Sequence, residues 1–403
     1  MKPTLALMAV SALLLASCNR TDTTPVVEPT VDPATMAPAA PVVGQAVELQ
    51  QVPGLSRAGL QQLAAVTNPS NPDLDPDLKT LLALFGSKVP QYINPTGIGT
   101  LVQGFGGQSR VTAQALNDVQ DLLPTGTVTY AADGTRSYAA APTDGYVEID
   151  QRNNTRIEAK WKVGGAATVL INSGTRFNPQ TNQLQQVQQE VPTNAAVSLS
   201  AAGKVLAALA FKMTPGACVN LAGPTALSLS GWAGRDTNSP ARVSLDYAWT
   251  DQKVSLSASA LYRTTTQKVS SDVKLDIAGT TSDRCGTNFT FTPTRANVTG
   301  TLDIPSYKTD LTVYLRNLSN LTINASTLKA QNPFAKIGGT ANASLTFNDK
   351  PVMTAFGPLA DGTDMNLQPG DQVLVQYVKN GQLVKTDVDG AVKDVREVFG
   401  VPF

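Results

Sequence analysis

Apolar and polar residues alternate with a period of two along most of the chain after Thr127. Charged and apolar residues alternate over 156–163, apolar residues alternate with serines over 254–260, and apolar residues alternate with charged ones over 273–277. We count roughly a dozen such segments at a spacing of about ten residues, which is typical of a sandwich or a barrel. Strands with one apolar and one polar face pair antiparallel rather than parallel. The pattern therefore predicts a mainly β domain over residues 126–403, with a large antiparallel curved sheet that is sandwich-like or barrel-like.

The last of these segments predicts a β-hairpin. Apolar residues over 373–378 and 383–384 flank the dipeptide Asn380-Gly381. This dipeptide supplies the two positive φ angles that a two-residue type I′ turn requires. The hairpin forms either the last strands of the same sheet or a small separate module.

Residues 53–125 have a helical rather than an alternating pattern. A first helix is indicated by apolar residues that share one helical face, namely Leu60, Leu63, Ala64 and Val66. A second helix is predicted after Pro76 and a third over 111–123, with a glycine-rich loop at 97–107 between them. The apolar face of each later strand must be covered by a second sheet, by closure of the sheet, by these helices or by a lipid-like ligand.

The first 17 residues have the form of a secretory signal. Lys2 gives a positive start, and an apolar run of about a dozen residues over 5–16 leads to small residues before a cut site. The run is too short to cross a bilayer as a helix, which needs about 20 residues. We therefore expect export with removal of residues 1–17.

The residues at the cut site are Leu15-Ala16-Ser17-Cys18, and here the chain resembles the bacterial lipoprotein class. The resemblance implies that the Cys18 thiol receives diacylglycerol and that cleavage makes Cys18 the new N-terminus. It also implies a location in the cell envelope, with the membrane as the partner of the lipidated Cys18. In diderm bacteria, Asn19 in place of the retaining Asp favours the outer membrane. The resemblance covers only about the first 20 residues.

A proline-rich stretch follows the cut site. Prolines at 25, 29, 33, 38 and 41 prevent a regular helix and favour an extended chain. We expect residues 18–52 to form a semi-rigid tether, which would reach up to about 100 Å if fully extended.

Two cysteines remain after Cys18 is used, namely Cys218 and Cys285. In an oxidising compartment this pair is most simply one disulfide. It would close a loop of about 67 residues and contribute on the order of 4 kcal/mol. The alternative is two free buried thiols.

The composition excludes several kinds of function. The chain contains no histidine, which excludes Ser-His-Asp triads, Cys-His dyads and His-based zinc sites. Lysine plus arginine and aspartate plus glutamate number 31 each, and no basic stripe indicates nucleic acid as a partner. We expect no cofactor, no metal and no catalytic residues.

Three acidic segments are candidate sites of chemistry. The carboxylates over 71–77 alternate as in a calcium loop but lack the glycine and glutamate of that motif, and they equally well cap a following helix. The pairs Asp361/Asp364 and Asp387/Asp389 each adjoin a glycine, which is ordinary turn chemistry rather than evidence of a glycosidase.

The sequence therefore predicts a non-enzymatic cell-envelope lipoprotein. The leading hypothesis is that it binds or carries an apolar ligand such as lipid on a curved β-sheet. The alternative is a structural or assembly role in which the β domain binds envelope proteins or polymers. An enclosed apolar cavity of several hundred Å³ would favour the ligand.

Overall fold

The structure is a computed structural model of the chain. It describes residues 32, 35–66, 68, 70–80, 125–161, 168–178, 183–214, 225–234, 240–283, 290–323, 338–359 and 373–400. The expected mainly β fold with a small helical region before it is confirmed. Several predicted features lie outside the described residues, namely the signal, Cys18, Cys218, Cys285, the glycine-rich loop, Asp361, Asp364 and the predicted helices beyond residue 80.

The chain forms two compact units, of which residues 74–242 make one. Its main sheet has seven strands in the order β2-β1-β3-β4-β7-β8-β9. The bounds are β1 Gly126–Tyr130, β2 Arg136–Ala139, β3 Gly145–Asp150, β4 Thr155–Trp161, β7 Asn194–Ala201, β8 Lys204–Thr214 and β9 Ala226–Ala233. A separate antiparallel ribbon pairs β5 Thr168–Asn178 with β6 Gln183–Pro192.

One pair in this unit departs from the expected antiparallel arrangement, because β1 and β3 are parallel. The hairpin from β1 places β2 on one edge of β1. The chain then pairs β3 with the other edge of β1, in the same direction. Val128, Tyr146 and Ala159 from β1, β3 and β4 form a buried cluster where these strands meet.

Residues 1–73 and 243–403 form the second unit. Its sheet has nine strands, which are neighbours in chain order from β10 to β18. The bounds are β10 Ala241–Trp249, β11 Lys253–Arg263, β12 Lys268–Ser282, β13 Thr290–Ile304, β14 Tyr307–Ser319, β15 Gly338–Phe347, β16 Lys350–Pro358, β17 Leu374–Lys379 and β18 Gln382–Thr386. Every pair from β11 to β18 is antiparallel. Within the described ranges, β10 and β18 are the two edges of this sheet, so it stays open.

The predicted hairpin is confirmed as β17 and β18. Asn380 and Gly381 form its turn with φ angles of 51° and 73°, as a type I′ turn requires. Because β17 also pairs with β16, the hairpin belongs to the nine-stranded sheet and is not a separate module.

Three helical elements accompany this sheet. A 3₁₀ helix spans Leu49–Gln51, α1 spans Val52–Val66 and α2 spans Val388–Phe399. Helix α1 agrees with the first predicted helix, although its Leu60 is exposed whereas Leu63 and Val66 pack inward. None of the helices in the described part of the chain has the length and apolar character needed to cross a membrane.

Helix α2 corrects the interpretation of Asp387-Val388-Asp389-Gly390 as a turn. The Asp387 carboxylate accepts the Gly390 N–H at 2.7 Å and caps the helix. Gly400 ends the helix with φ 64°, the left-handed conformation that commonly follows a last helical turn.

The chain before the 3₁₀ helix is bound to the sheet at several points, in a part where the sequence predicts a semi-rigid tether. We call Asp32 and residues 35–48 the strap. Asp32 pairs with Arg316 at 2.6 Å, and the Met36 carbonyl accepts a hydrogen bond from the Asn342 side chain. Further along the strap, the Val47 N–H donates to the Pro351 carbonyl, and Glu48 forms a β-bridge with Val378.

Candidate functional site

The strand register of the nine-stranded sheet places its apolar residues on one face. Paired residues on neighbouring strands point to the same side, so a row of partners shows the character of a face. One row crosses seven strands as Leu256, Leu275, Val298, Val313, Ala343, Ala355 and Val375. The next row on this face reads Ala258, Val273, Gly300, Leu311, Leu345, Met353, Tyr377 and Val384.

The row between these two points to the opposite face and is entirely polar. It reads Ser257, Lys274, Thr299, Thr312, Ser344, Thr354, Gln376 and Lys385. These rows therefore give the sheet one apolar and one polar face, as the alternation in the sequence predicts. On β16 to β18 the polar face also carries apolar side chains, because Phe356 pairs with Leu374 and Val378 pairs with Leu383.

Helix α1 covers one end of the apolar face. Val66 is buried in a cluster with Val269 and Ile304, and Leu63 packs against the same cluster. The ring of Tyr307 lies beside Gly59, where a Cβ atom would be 3.8 Å from the ring. Helix α1 therefore contacts the Tyr307 ring at Gly59, where the helix has no side chain.

The 3₁₀ helix and α2 cover the other end of the same face. Leu49, Tyr377 and Ala391 belong to one buried cluster, and Tyr377 has no exposed surface. The Tyr377 hydroxyl donates to Asp394 of α2 at 2.5 Å, and the Lys379 ammonium donates to the same carboxylate at 3.0 Å. Burial acts to raise the pKa of Asp394, but these two hydrogen bonds outweigh it and lower that pKa.

The middle of the apolar face is less covered than its ends. Its side chains are only partly buried, and Leu311 is 40% exposed. We call this region the central apolar zone and define it by Val273, Leu275, Val298, Leu311, Val313 and Leu345.

Gly300 is a buried position in the middle of the central apolar zone, and we call the absence of a side chain there the gap at Gly300. Val273 and Leu311 are its partners on the neighbouring strands. A Cβ at this position would meet no described heavy atom closer than 3.9 Å. By contrast, a Cβ at Gly279 would lie 2.5 Å from the Thr292 carbonyl oxygen, so Gly279 is required by packing. A strand glycine without such a constraint weakens the strand and often marks a place where another group approaches closely.

Two buried polar atoms near α1 have no hydrogen-bond partner among the described residues. They are the Tyr262 hydroxyl, on the apolar face, and the Gln62 side-chain oxygen, on α1. Burial raises the pKa of Tyr262, so this hydroxyl stays protonated and can donate. An orphaned buried hydroxyl costs about 1–3 kcal/mol unless water or another molecule bonds to it.

Replacing Tyr262 by phenylalanine is expected to leave the free energy of unfolding unchanged or raise it by about 1 kcal/mol, because it removes an unpaired buried hydroxyl. Hydrogen exchange of the β11 and α1 peptides in the purified protein measures this locally. Tyr307→Phe is a suitable control, since Tyr307 packs in the same cluster. A loss above about 1 kcal/mol for Tyr262→Phe would show that the hydroxyl is paired.

A groove of about 410 Å³ lies in the other unit, and its lining combines charged and apolar side chains. Arg156, Glu158 and Lys160 line it beside Val147 and Ile149. Glu158 is paired with both cations, and the hydrogen bond from Lys160 is the larger cause of its lowered pKa. Glu158 therefore balances one of the two positive charges, and these three side chains together keep one net positive charge.

The carboxylates of the acidic segment over 71–77 are used in a helix cap, a hydrogen bond and an ion pair. Asp75 accepts the N–H groups of Asp77 and Leu78 and so begins the helical turn at 76–80. Asp73 accepts from Thr266, and Asp77 pairs with Lys204 at 2.7 Å. Over the ranges that the structure describes, no three His, Cys, Asp or Glu side chains lie together as a metal site would need.

Comparisons of the chain with protein-family models, with curated proteins and with solved structures found no match.

Proposed function

We propose that the chain is a non-enzymatic lipoprotein of the cell envelope that binds an apolar ligand, such as a lipid, on the central apolar zone. The anchor is supported by Leu15-Ala16-Ser17-Cys18 alone. The ligand is supported by the gap at Gly300, which lies at the centre of a partly exposed apolar surface whose two ends are covered by helices.

The size of the zone suits an acyl chain. Its residues lie on β12 to β15, and Leu256 extends it to β11. Neighbouring strands are about 4.8 Å apart, so five strands span roughly 19 Å. The acyl layer of one membrane leaflet is about 15 Å thick. A chain laid across the strands would therefore stay in contact with the zone, and each buried CH₂ contributes about 0.8 kcal/mol.

The end of the zone near α1 offers a polar contact for such a ligand. The Tyr262 hydroxyl and the Gln62 oxygen are a donor and an acceptor without partners in the described part of the chain. Apolar sites commonly contain a few such groups, which orient the polar end of the bound molecule.

The proposal is tested on the mature chain with Cys18→Ser, which is not acylated and can be purified without detergent. Native mass spectrometry should show a non-covalent adduct of a few hundred daltons, and solvent extraction should recover a lipid. A bare protein that also takes up no phospholipid from vesicles would contradict the ligand.

The anchor is tested separately. The wild-type protein extracted from membranes should yield an N-terminal peptide that begins at Cys18 and carries acyl chains by mass. An unmodified Cys18 would contradict the anchor and leave the ligand proposal intact.

A further inference from the structure

The strap has a buried side and an exposed apolar side. Pro41 and Val47 are buried against the sheet, whereas Met36, Val42 and Val43 are 47–62% exposed. Apolar side chains that point outward from a segment otherwise fixed to the fold indicate a contact surface.

Two leucines of the sheet add to this surface. Asn342, which binds the Met36 carbonyl, pairs with Phe356, and Phe356 pairs with the exposed Leu374. These residues therefore point to the same face of the sheet, opposite the central apolar zone. Leu383 pairs with Val378, at the place where the strap forms its β-bridge, and is also exposed. We call Met36, Val42, Val43, Leu374 and Leu383 the strap surface.

The strap surface is close to Cys18 along the chain. Only 13 residues separate Cys18 from Asp32, and a fully extended chain spans at most about 3.6 Å per residue. Asp32 is held by Arg316, whose guanidinium is only 13% exposed and also donates to Asn297. If Cys18 carries the lipid, the bilayer surface lies within about 50 Å of Arg316.

We propose that the strap surface rests on the membrane into which the Cys18 lipid inserts. This inference rests on the proposed anchor. The short link keeps the strap surface at a high effective concentration next to the bilayer, and burial of its exposed apolar side chains in the bilayer orients the protein there. The central apolar zone lies on the other face of the sheet and then points away from that membrane.

The test uses the mature chain with Cys18→Ser, so that no acyl chain contributes. Its sedimentation with vesicles of phosphatidylethanolamine and phosphatidylglycerol is compared with that of a chain also carrying Met36→Ser, Val42→Ser and Val43→Ser. Because each of the three side chains loses its apolar contact with the bilayer, the vesicle partition coefficient of this variant should fall at least about tenfold. A matched control carries Leu60→Ser, Val205→Ser and Val392→Ser, which are exposed apolar residues elsewhere, and should sediment like the parent.

Equal sedimentation of the strap variant and the parent, or no sedimentation of the parent, would overturn the inference.

A second measurement detects the contact directly, without relying on a loss of vesicle binding. Val43→Trp in vesicles with brominated acyl chains should show a quenched tryptophan component that Val392→Trp lacks, and equal quenching would also overturn it. A photocrosslinker at Val43 that captures one stoichiometric protein in cells, with no lipid, would assign the surface to a protein partner instead. None of these measurements depends on acylation of Cys18 or on the ligand zone, so they can fail independently of the proposed function.

Discussion

Replacing Tyr377 by alanine is expected to destabilise the end of the nine-stranded sheet by about 3–5 kcal/mol. The ring has no exposed surface and packs with Leu49 and Ala391. Its removal leaves a cavity where the 3₁₀ helix, β17 and α2 meet. It also takes away the hydroxyl that donates to Asp394.

Hydrogen exchange with mass spectrometry measures this effect locally, which matters because a chain of two units need not unfold in one step. Peptides from β16 to α2 should exchange at least about a hundredfold faster. Tyr377→Phe keeps the ring and should cost only about 1.5–3 kcal/mol, the worth of a hydrogen bond to a charged group. Leu374→Ala, on the exposed side of the same strand, should change exchange little. Similar rates for Tyr377→Ala and Leu374→Ala would contradict the described core.

Replacing Gly300 by leucine is expected to lower the amount of bound apolar ligand at least about tenfold while the fold is kept. The Cβ atom of the new side chain has room, because it would contact Val273 and Leu311 at ordinary distances of 3.9–4.0 Å. Substitution of a strand glycine also removes an entropic cost of about 0.5–1 kcal/mol. The leucine would occupy the gap that the ligand is proposed to fill.

Titration of the Cys18→Ser chain with a dansyl-labelled fatty acid measures this loss. Thr299→Leu is the control, since it places a leucine side chain on the polar face of the same strand. The control should bind like the parent. Equal binding by the Gly300→Leu and parent chains would contradict a ligand site at Gly300.

Much of the nine-stranded sheet could be predicted from the sequence because the period of two is itself the geometry of a strand. The assigned strands already imply the apolar and polar rows, and Asn380-Gly381 determines the closing turn. Helix α2 was missed, although Asp387, the apolar residues at helical spacing after it and Gly400 are its start and stop signals. Two Asp residues beside a glycine are equally typical of a turn. Residues 387–390 alone therefore do not distinguish a turn from the start of a helix.

The docking of the strap and the parallel β1–β3 pair could not be read from local pattern. Arg316 and Asp32 are 284 positions apart, and an ion pair of that kind leaves no periodic signal. The prolines of the strap indicate an extended chain, but an extended chain can lie on a sheet as well as in solvent. Composition alone does not distinguish these two cases.

The candidate site was predicted only as an apolar face. Gly300 was a visible signal, because it occupies an apolar position within the alternation over 296–304. Its meaning depends on the space around it, which only the register and the neighbouring side chains reveal. The Tyr262 hydroxyl is notable only because it lacks a partner among the described residues, and that also requires the folded structure.

The burial of Leu49 in one cluster with Ala391 has a consequence for how the protein reaches its native state. The unit of residues 74–242 is one continuous stretch and can fold once that stretch is complete. The other unit is completed by Tyr377 and Ala391, which are synthesised more than 300 residues after Leu49. Until they arrive, the 3₁₀ helix has no core to enter, and loop closure over that separation is slow. A chain that stops before residue 373 would therefore lack the residues that bury Leu49. That end of its sheet would stay accessible to chaperones and proteases.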